Sequence, residues 1–131
     1  MTIRSLLEYC APAWSPFYIQ DIDKLESVQR RCLKLASSEI ILPTLTDRRK
    51  QADLCEAYKF ISGSYVTSSD TYFTPAERQL RGHSKKLQKQ YSRTLIRKNF
   101  FSNRVVDDWN KLSEKTINTL SLTSFKKDLA E

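Results

Sequence analysis

The sequence predicts an all-α fold, a small bundle of about five helices with one long basic loop. Three observations carry this. Only two glycines and four prolines punctuate 131 residues, too few for the turns of a β-rich chain. Apolar residues recur at helical spacing and not in strict alternation. Hydrophobic content is 40%, and two tryptophans, six tyrosines and six phenylalanines suffice for the core of one domain, expected over 1–131.

Taken in order, Ile3, Leu6, Leu7 and Cys10 share a helix face until Pro12 stops the pattern. APAWSPFYI is then a connector, because each X-Pro step disfavours helix at the residue before it. Trp14 is expected in the core, where two prolines turn the chain. Asp21 opens the clearest helix, DIDKLESVQRRCLKLA, with Ile22, Leu25, Val28 and Cys32 in one stripe. Its acidic residues lie early and Arg30, Arg31 and Lys34 late, as the helix dipole prefers. A further helix is signalled in TLTDRRKQADLCEAYKFISG. Thr44 and Asp47 resemble a capping box, Leu54, Tyr58 and Ile61 form the buried stripe, and Gly63 supplies the stop. Residues 63–99 read as the long polar and then basic loop. Ser102 is expected to cap a short helix carrying Val105, Val106, Trp109 and Leu112. Ser121 or Thr123 caps a last one through Leu122, Phe125 and Leu129.

The residues for most chemistries are sparse. No GxxxxGK[ST] or GxGxxG exists to cradle phosphates. Any Ser/His/Asp or Cys/His site must use His83, the single histidine, which lies in RGHSKK and is expected to be solvated there. Cys10, Cys32 and Cys55 have no CxxC pairing, so a zinc site would need long-range convergence with His83. Buried free thiols in a reducing compartment are the expectation. Asp107-Asp108 is the one adjacent aspartate pair. Magnesium binding is one reading, and a solvated acidic pair in the first turn of its helix is the expected one. No enzyme, no metal and no cofactor is expected. No run approaches 18 apolar residues, and the first residues lack a secretory h-region. An intracellular protein, cytoplasmic or nuclear and without a membrane partner, is expected.

Charge is the better lead. The net +7 is confined to 61–106, where nine basic side chains face two acidic ones; the flanking segments nearly balance. Arg78, Arg81, Lys85, Lys86, Lys89, Arg93, Arg97, Lys98 and Arg104 are interleaved with Tyr91, Phe100 and Phe101. Lysines and arginines neutralise phosphates with release of counterions, and aromatics can stack on unpaired bases. A solvated basic face is the other reading. Phe100 and Phe101 are expected in the core, where they hold the basic segment in place.

Several strings in this order resemble one known region: "LLEYCAPAWSP", "DIDKLESVQRRCLKLA", "LPTLTDRRKQADLCEAYKFISG", "RGHSKKL", "FFSNRVVDDWNKL" and "SLTSFKKDL". They are similar to the C-terminal, post-polymerase region of non-LTR retrotransposon (LINE) reverse transcriptases of the jockey, CR1 and RTE-like kind. The resemblance runs from Leu6 to Leu129. It implies a helical region beside the thumb of an RNA-directed DNA polymerase that helps hold template RNA and target DNA. Gln29, Arg30, Arg31, Arg48, Arg49, Asp53, Arg104, Trp109 and Asn110 are the motif positions. The polymerase palm with its Y-x-D-D turn and the endonuclease are not in this sequence. The link SSEIIL is shorter than the family's, and Leu112-Ser113 stands where the family has Leu-Pro. These departures fit a fragment, a degenerate copy or a domesticated piece.

The resulting expectation is a non-catalytic nucleic-acid-binding helical module. Its backbone-phosphate contacts to RNA or DNA would come from Arg30, Arg31, Arg81, Lys85, Lys86, Lys89, Arg93, Arg97, Lys98 and Arg104, and an upstream reverse transcriptase domain is a further partner. The alternative is a structural or protein-interaction remnant that packs on a polymerase domain and binds no nucleic acid itself.

Overall fold

The structure, a computed structural model, describes residues 3–35, 42–77 and 81–130. Arg78 and most of the short link at 37–42 lie outside the described residues. Among the described residues the fold is mostly helical: α1 (Ile3–Glu8), α2 (Ile19–Leu35), α3 (Leu45–Ile61), α4 (Leu95–Lys98), α5 (Phe101–Asn110), α6 (Glu114–Ile117) and α7 (Leu122–Asp128). A 3-10 turn at Ser69–Thr71 and two strands, β1 (Thr74–Pro75) and β2 (Leu87–Gln88), interrupt the segment from 63 to 99. The strands pair antiparallel, Thr74 opposite Gln88 and Pro75 opposite Leu87. Seven helices replace the expected five or so. The additions are short: α4 and α6 have four residues each, too few to show a period, and are recognisable only by Thr94 and Ser113 accepting the Arg97 and Thr116 amides. No described helix is long and apolar enough to cross a membrane.

By its contacts the chain divides into two compact units, Met1–Ala52 and Asp53–Glu131, with α3 running through the boundary. The ends of α3 follow local chemistry. At its start Thr44 Oγ1 accepts from the Asp47 amide at 3.1 Å. At its end Gly63 takes φ +73°, and the amides of Gly63 and Ser64 return to the carbonyls of Phe60 and Lys59. A left-handed glycine closing paired bonds of this kind satisfies the last carbonyls of a helix.

The first unit buries little apolar surface; Ala11 and Leu45 are its buried apolar residues among those described. Polar ties hold it together. Arg48 forks onto both carboxylate oxygens of Glu8, with Nη2 to Oε2 at 2.8 Å. That carboxylate raises the arginine's pKa above its ordinary value. Arg49, 5% exposed, donates to the carbonyls of Leu7 (2.6 Å) and Trp14 (3.2 Å), and its guanidinium lies 4.1 Å from the Trp14 ring centroid. Trp14 is therefore no core residue. It is 42% exposed and serves as a lid over Arg49, with Nε1 donating to the Tyr9 carbonyl. Cys10 is not buried either: α1 ends at Glu8, and Cys10 turns the chain at φ +52° with its side chain exposed. Gln29 donates to the Pro43 carbonyl, and Glu26 accepts the Thr46 amide. No residue of α2 is buried.

The second unit holds the core. Leu54, Ala57, Tyr58, Phe73, Leu87, Phe101, Val105, Val106, Trp109, Ile117 and Phe125 pack as one cluster. Tyr58 stacks on Phe125 at 4.5 Å, and Trp109 and Phe125 are both fully buried. Removing either large ring would cost about 3–5 kcal/mol. The α5 expectations need correction at its start. The helix begins at Phe101 with Phe100 as its N-cap residue, so Ser102 is a buried helix residue and not the cap. Phe101 enters the core and Phe100 stays 45% exposed. Asp107 and Asp108 consequently fall in the last turn, the unfavourable end for the dipole, where Lys89 and Lys111 pair with them.

Candidate nucleic-acid interface

Helix α5 is the frame on which the basic segment is mounted, and its polar residues make the attachments. Asn110 reproduces a strand partner: its Oδ1 accepts the Leu87 amide at 2.9 Å, and its Nδ2 donates to the Leu87 carbonyl at 2.8 Å. Trp109 Nε1 donates to the Lys85 carbonyl at 2.9 Å. Asn103, 1% exposed, accepts the Gln90 amide and donates to the Arg97 carbonyl. Asn103 and Asn110 are seven residues apart, two turns of helix, so both carboxamides face the same side. That spacing was a signal in the sequence; the expected site did not include either residue as an attachment.

His83 is a correction. It is not solvated but 3% exposed, edge-on to the Trp109 ring, with Nε2 bonded to the Trp109 carbonyl at 3.0 Å. A carbonyl only accepts, so Nε2 carries the proton, and Nδ1 has no partner among the described residues. Burial lowers the imidazole's pKa, against the Trp109 hydrogen bond, which raises it; Lys86 disfavours the charge and Glu114 favours it. The residue anchors a turn against α5. The same turn needs Gly82 at φ +122°, where an added Cβ would lie 2.7 Å from Lys86 Cε. Lys86 Nζ donates across this turn to the Arg81 carbonyl, and Glu114 accepts from both the Ser84 amide and hydroxyl.

The attachments leave the cations at the surface. Arg81, Lys85, Arg93, Arg97 and Lys98 are exposed, and Lys86 is half-buried. None of the six has a carboxylate partner among the described residues. Arg97 donates to Gln90 Oε1 at 2.8 Å and lies over the exposed Phe100 ring, 5.5 Å from its centroid. No acidic residue occurs from 78 to 106. Two members of the expected set differ. Lys89 is ion-paired with Asp107. Arg104 turns inward: Nε and Nη2 grip the two Asp53 oxygens at 2.8 and 2.9 Å, and Nη1 donates to the Asn99 carbonyl. Its guanidinium is engaged inside the unit, so the surface set leaves it out. Arg30 and Arg31 are exposed on α2 in the first unit and carry no ion pair among the described residues.

A hollow of about 360 Å³ lies beside Lys85, walled in part by Tyr58, Ile61, Trp109, Ile117 and Leu120. Of its lining residues only Tyr58 and Lys85 ionise, and the Tyr58 hydroxyl is engaged by the Thr119 carbonyl at 2.5 Å. Among the described residues no His, Cys, Asp and Glu cluster with metal-binding geometry. No protein-family model, curated protein or solved structure matches the chain.

Proposed function

We propose that the protein is a non-catalytic nucleic-acid-binding helical module, kin to the post-polymerase region of non-LTR retrotransposon reverse transcriptases, that holds RNA or DNA through backbone phosphates. The observation that supports it most is the set Arg81, Lys85, Lys86, Arg93, Arg97 and Lys98. All six lie on a segment pinned to α5 by side chains, with no carboxylate opposing them among the described residues. Cations held apart from carboxylates keep their field for a polyanion. Pinning also lowers the ordering cost of binding, since the loop backbone is fixed before contact. Within the retrotransposon reading an upstream polymerase domain is a natural partner, and the compartment is the cytoplasm or nucleus.

Anisotropy of labelled single-stranded RNA and DNA at low salt tests the reading. The expected result is binding tighter than that of an unrelated protein of equal net charge; equal binding refutes it. A second reading, a remnant that packs on a polymerase domain, draws on α2. No residue of that helix is buried, and Leu35 is 86% exposed. Sedimentation showing self-association, together with no strand binding, is its expected signature.

A further inference from the structure

Between Gln90 and Asn103 the chain forms a loop whose two ends are tied by one buried side chain. Asn103 Oδ1 accepts the Gln90 amide at 3.1 Å, its Nδ2 donates to the Arg97 carbonyl at 3.3 Å, and Arg97 bonds back to the Gln90 side chain. Two aromatic rings stand on the solvent side of this loop. Tyr91, next to Gln90, is 93% exposed. Phe100 is held at the start of α5, where its carbonyl accepts from the Asn103 and Arg104 amides, and its ring remains exposed beneath the Arg97 guanidinium. Core packing explains neither ring, because Phe73, Phe101 and Trp109 fill the interior. Arg97 lies over the Phe100 ring, Arg93 and Lys98 are exposed on the same segment, and no acidic residue occurs on it.

Resting on the nucleic-acid reading above, we infer that this loop is a stacking platform for unpaired bases. The ligand is single-stranded nucleic acid: base faces lie on Tyr91 and Phe100, and the flanking phosphates meet Arg93, Arg97 and Lys98. An exposed ring offers a π-face that any unpaired base can use, whereas bases inside a duplex already stack on each other. Anionic charge on the ligand follows from the three cations. A membrane surface fits less well, since the exposed Leu95 and Ile96 sit on a helix of only four residues, too short to lay an apolar face into a bilayer.

The test uses the full chain with four probes: oligothymidylate, an abasic phosphodiester strand of equal length, a duplex of equal length, and phosphatidylserine vesicles. Oligothymidylate is expected to bind about tenfold or more tighter than the abasic strand, which carries the same phosphates. Tyr91→Ala removes most of that preference and leaves abasic binding and the salt slope unchanged, while Tyr91→Phe retains it. Phe100→Ala, which also takes the ring from beneath Arg97, lowers the preference as well. Because Tyr91 is almost wholly exposed, its substitution leaves the unfolding midpoint in place. Equal affinity for the abasic strand or the duplex overturns the platform and spares the phosphate reading. Unchanged oligothymidylate binding by Tyr91→Ala and Phe100→Ala does the same. Absence of binding to every strand, or tighter binding to vesicles, overturns both.

Discussion

Arg104 separates an arginine that holds the fold from one that meets phosphate. The perturbation is Arg104→Met, which keeps the apolar stem and removes the guanidinium. Two charge-assisted bonds to Asp53, at 2.8 and 2.9 Å, are lost together with the bond to the Asn99 carbonyl. The Asp53 side chain is 9% exposed, so its carboxylate stays largely desolvated without its cation. Removing the cation from such a pair costs about 3–5 kcal/mol, because the remaining carboxylate keeps its burial and loses the charge that offset it. With a urea dependence of about 1–3 kcal/mol per molar, the unfolding midpoint falls by roughly 2 M. Trp109 fluorescence in a Trp14→Phe background reports this for the second unit alone, since its other tryptophan lies in the first. The double variant Asp53→Leu/Arg104→Met removes both charges and loses far less. In that folded double variant the salt slope of oligonucleotide binding matches the wild type. A slope reduced by about 0.7, the share of one single-strand phosphate contact, with a midpoint unmoved in Arg104→Met, would refute the assignment.

Three further outcomes follow from the same geometry. Asn110→Ala leaves both the amide and the carbonyl of Leu87 unpaired, so the second unit loses about 2 kcal/mol, read by the same urea titration. His83 has its pKa below the ordinary 6.5, so the unfolded chain takes up the proton first. Stability that is full above about pH 6.5 therefore declines as pH falls below it, and His83→Gln, which keeps a donor for Trp109, flattens this part of the profile. Thiol labelling under native conditions modifies the exposed Cys10 first. Cys55, buried and with its pKa raised by desolvation, reacts only on unfolding.

What was legible in the sequence was the chemistry that acts within a few residues. Thr44, Ser121 and Gly63 marked the helix ends they do mark, because a cap or a left-handed stop satisfies local backbone groups. The charge run was legible because its density needs no fold to be seen. Side-chain direction was not. Phe100 and Phe101 are adjacent, and which of them enters the core depends on where α5 starts, which the Ser102 cap signal placed too late. Arg104 looks like its basic neighbours until Asp53, 51 positions earlier, comes into reach. His83 looked solvated in a polar loop, and only the Trp109 carbonyl, 26 positions away, makes it an anchor. The two-residue strands exist because α5 supplies a side-chain partner for Leu87, a contact between segments that no single window of sequence displays.

The salt dependence of single-strand binding, wild type against a variant with Arg81, Lys85, Lys86, Arg93, Arg97 and Lys98 all changed to glutamine, tests the central claim most directly. If these six cations meet phosphates, the wild-type slope of log affinity on log salt is about −4, and the variant's is close to zero. Both proteins should unfold at similar denaturant concentrations, since none of the six has a carboxylate partner among the described residues. The substitutions give up only the Lys86 bond to the Arg81 carbonyl and the Arg97 contacts to Gln90 and Phe100. A variant that folds as before and keeps the wild-type slope would place the binding surface elsewhere.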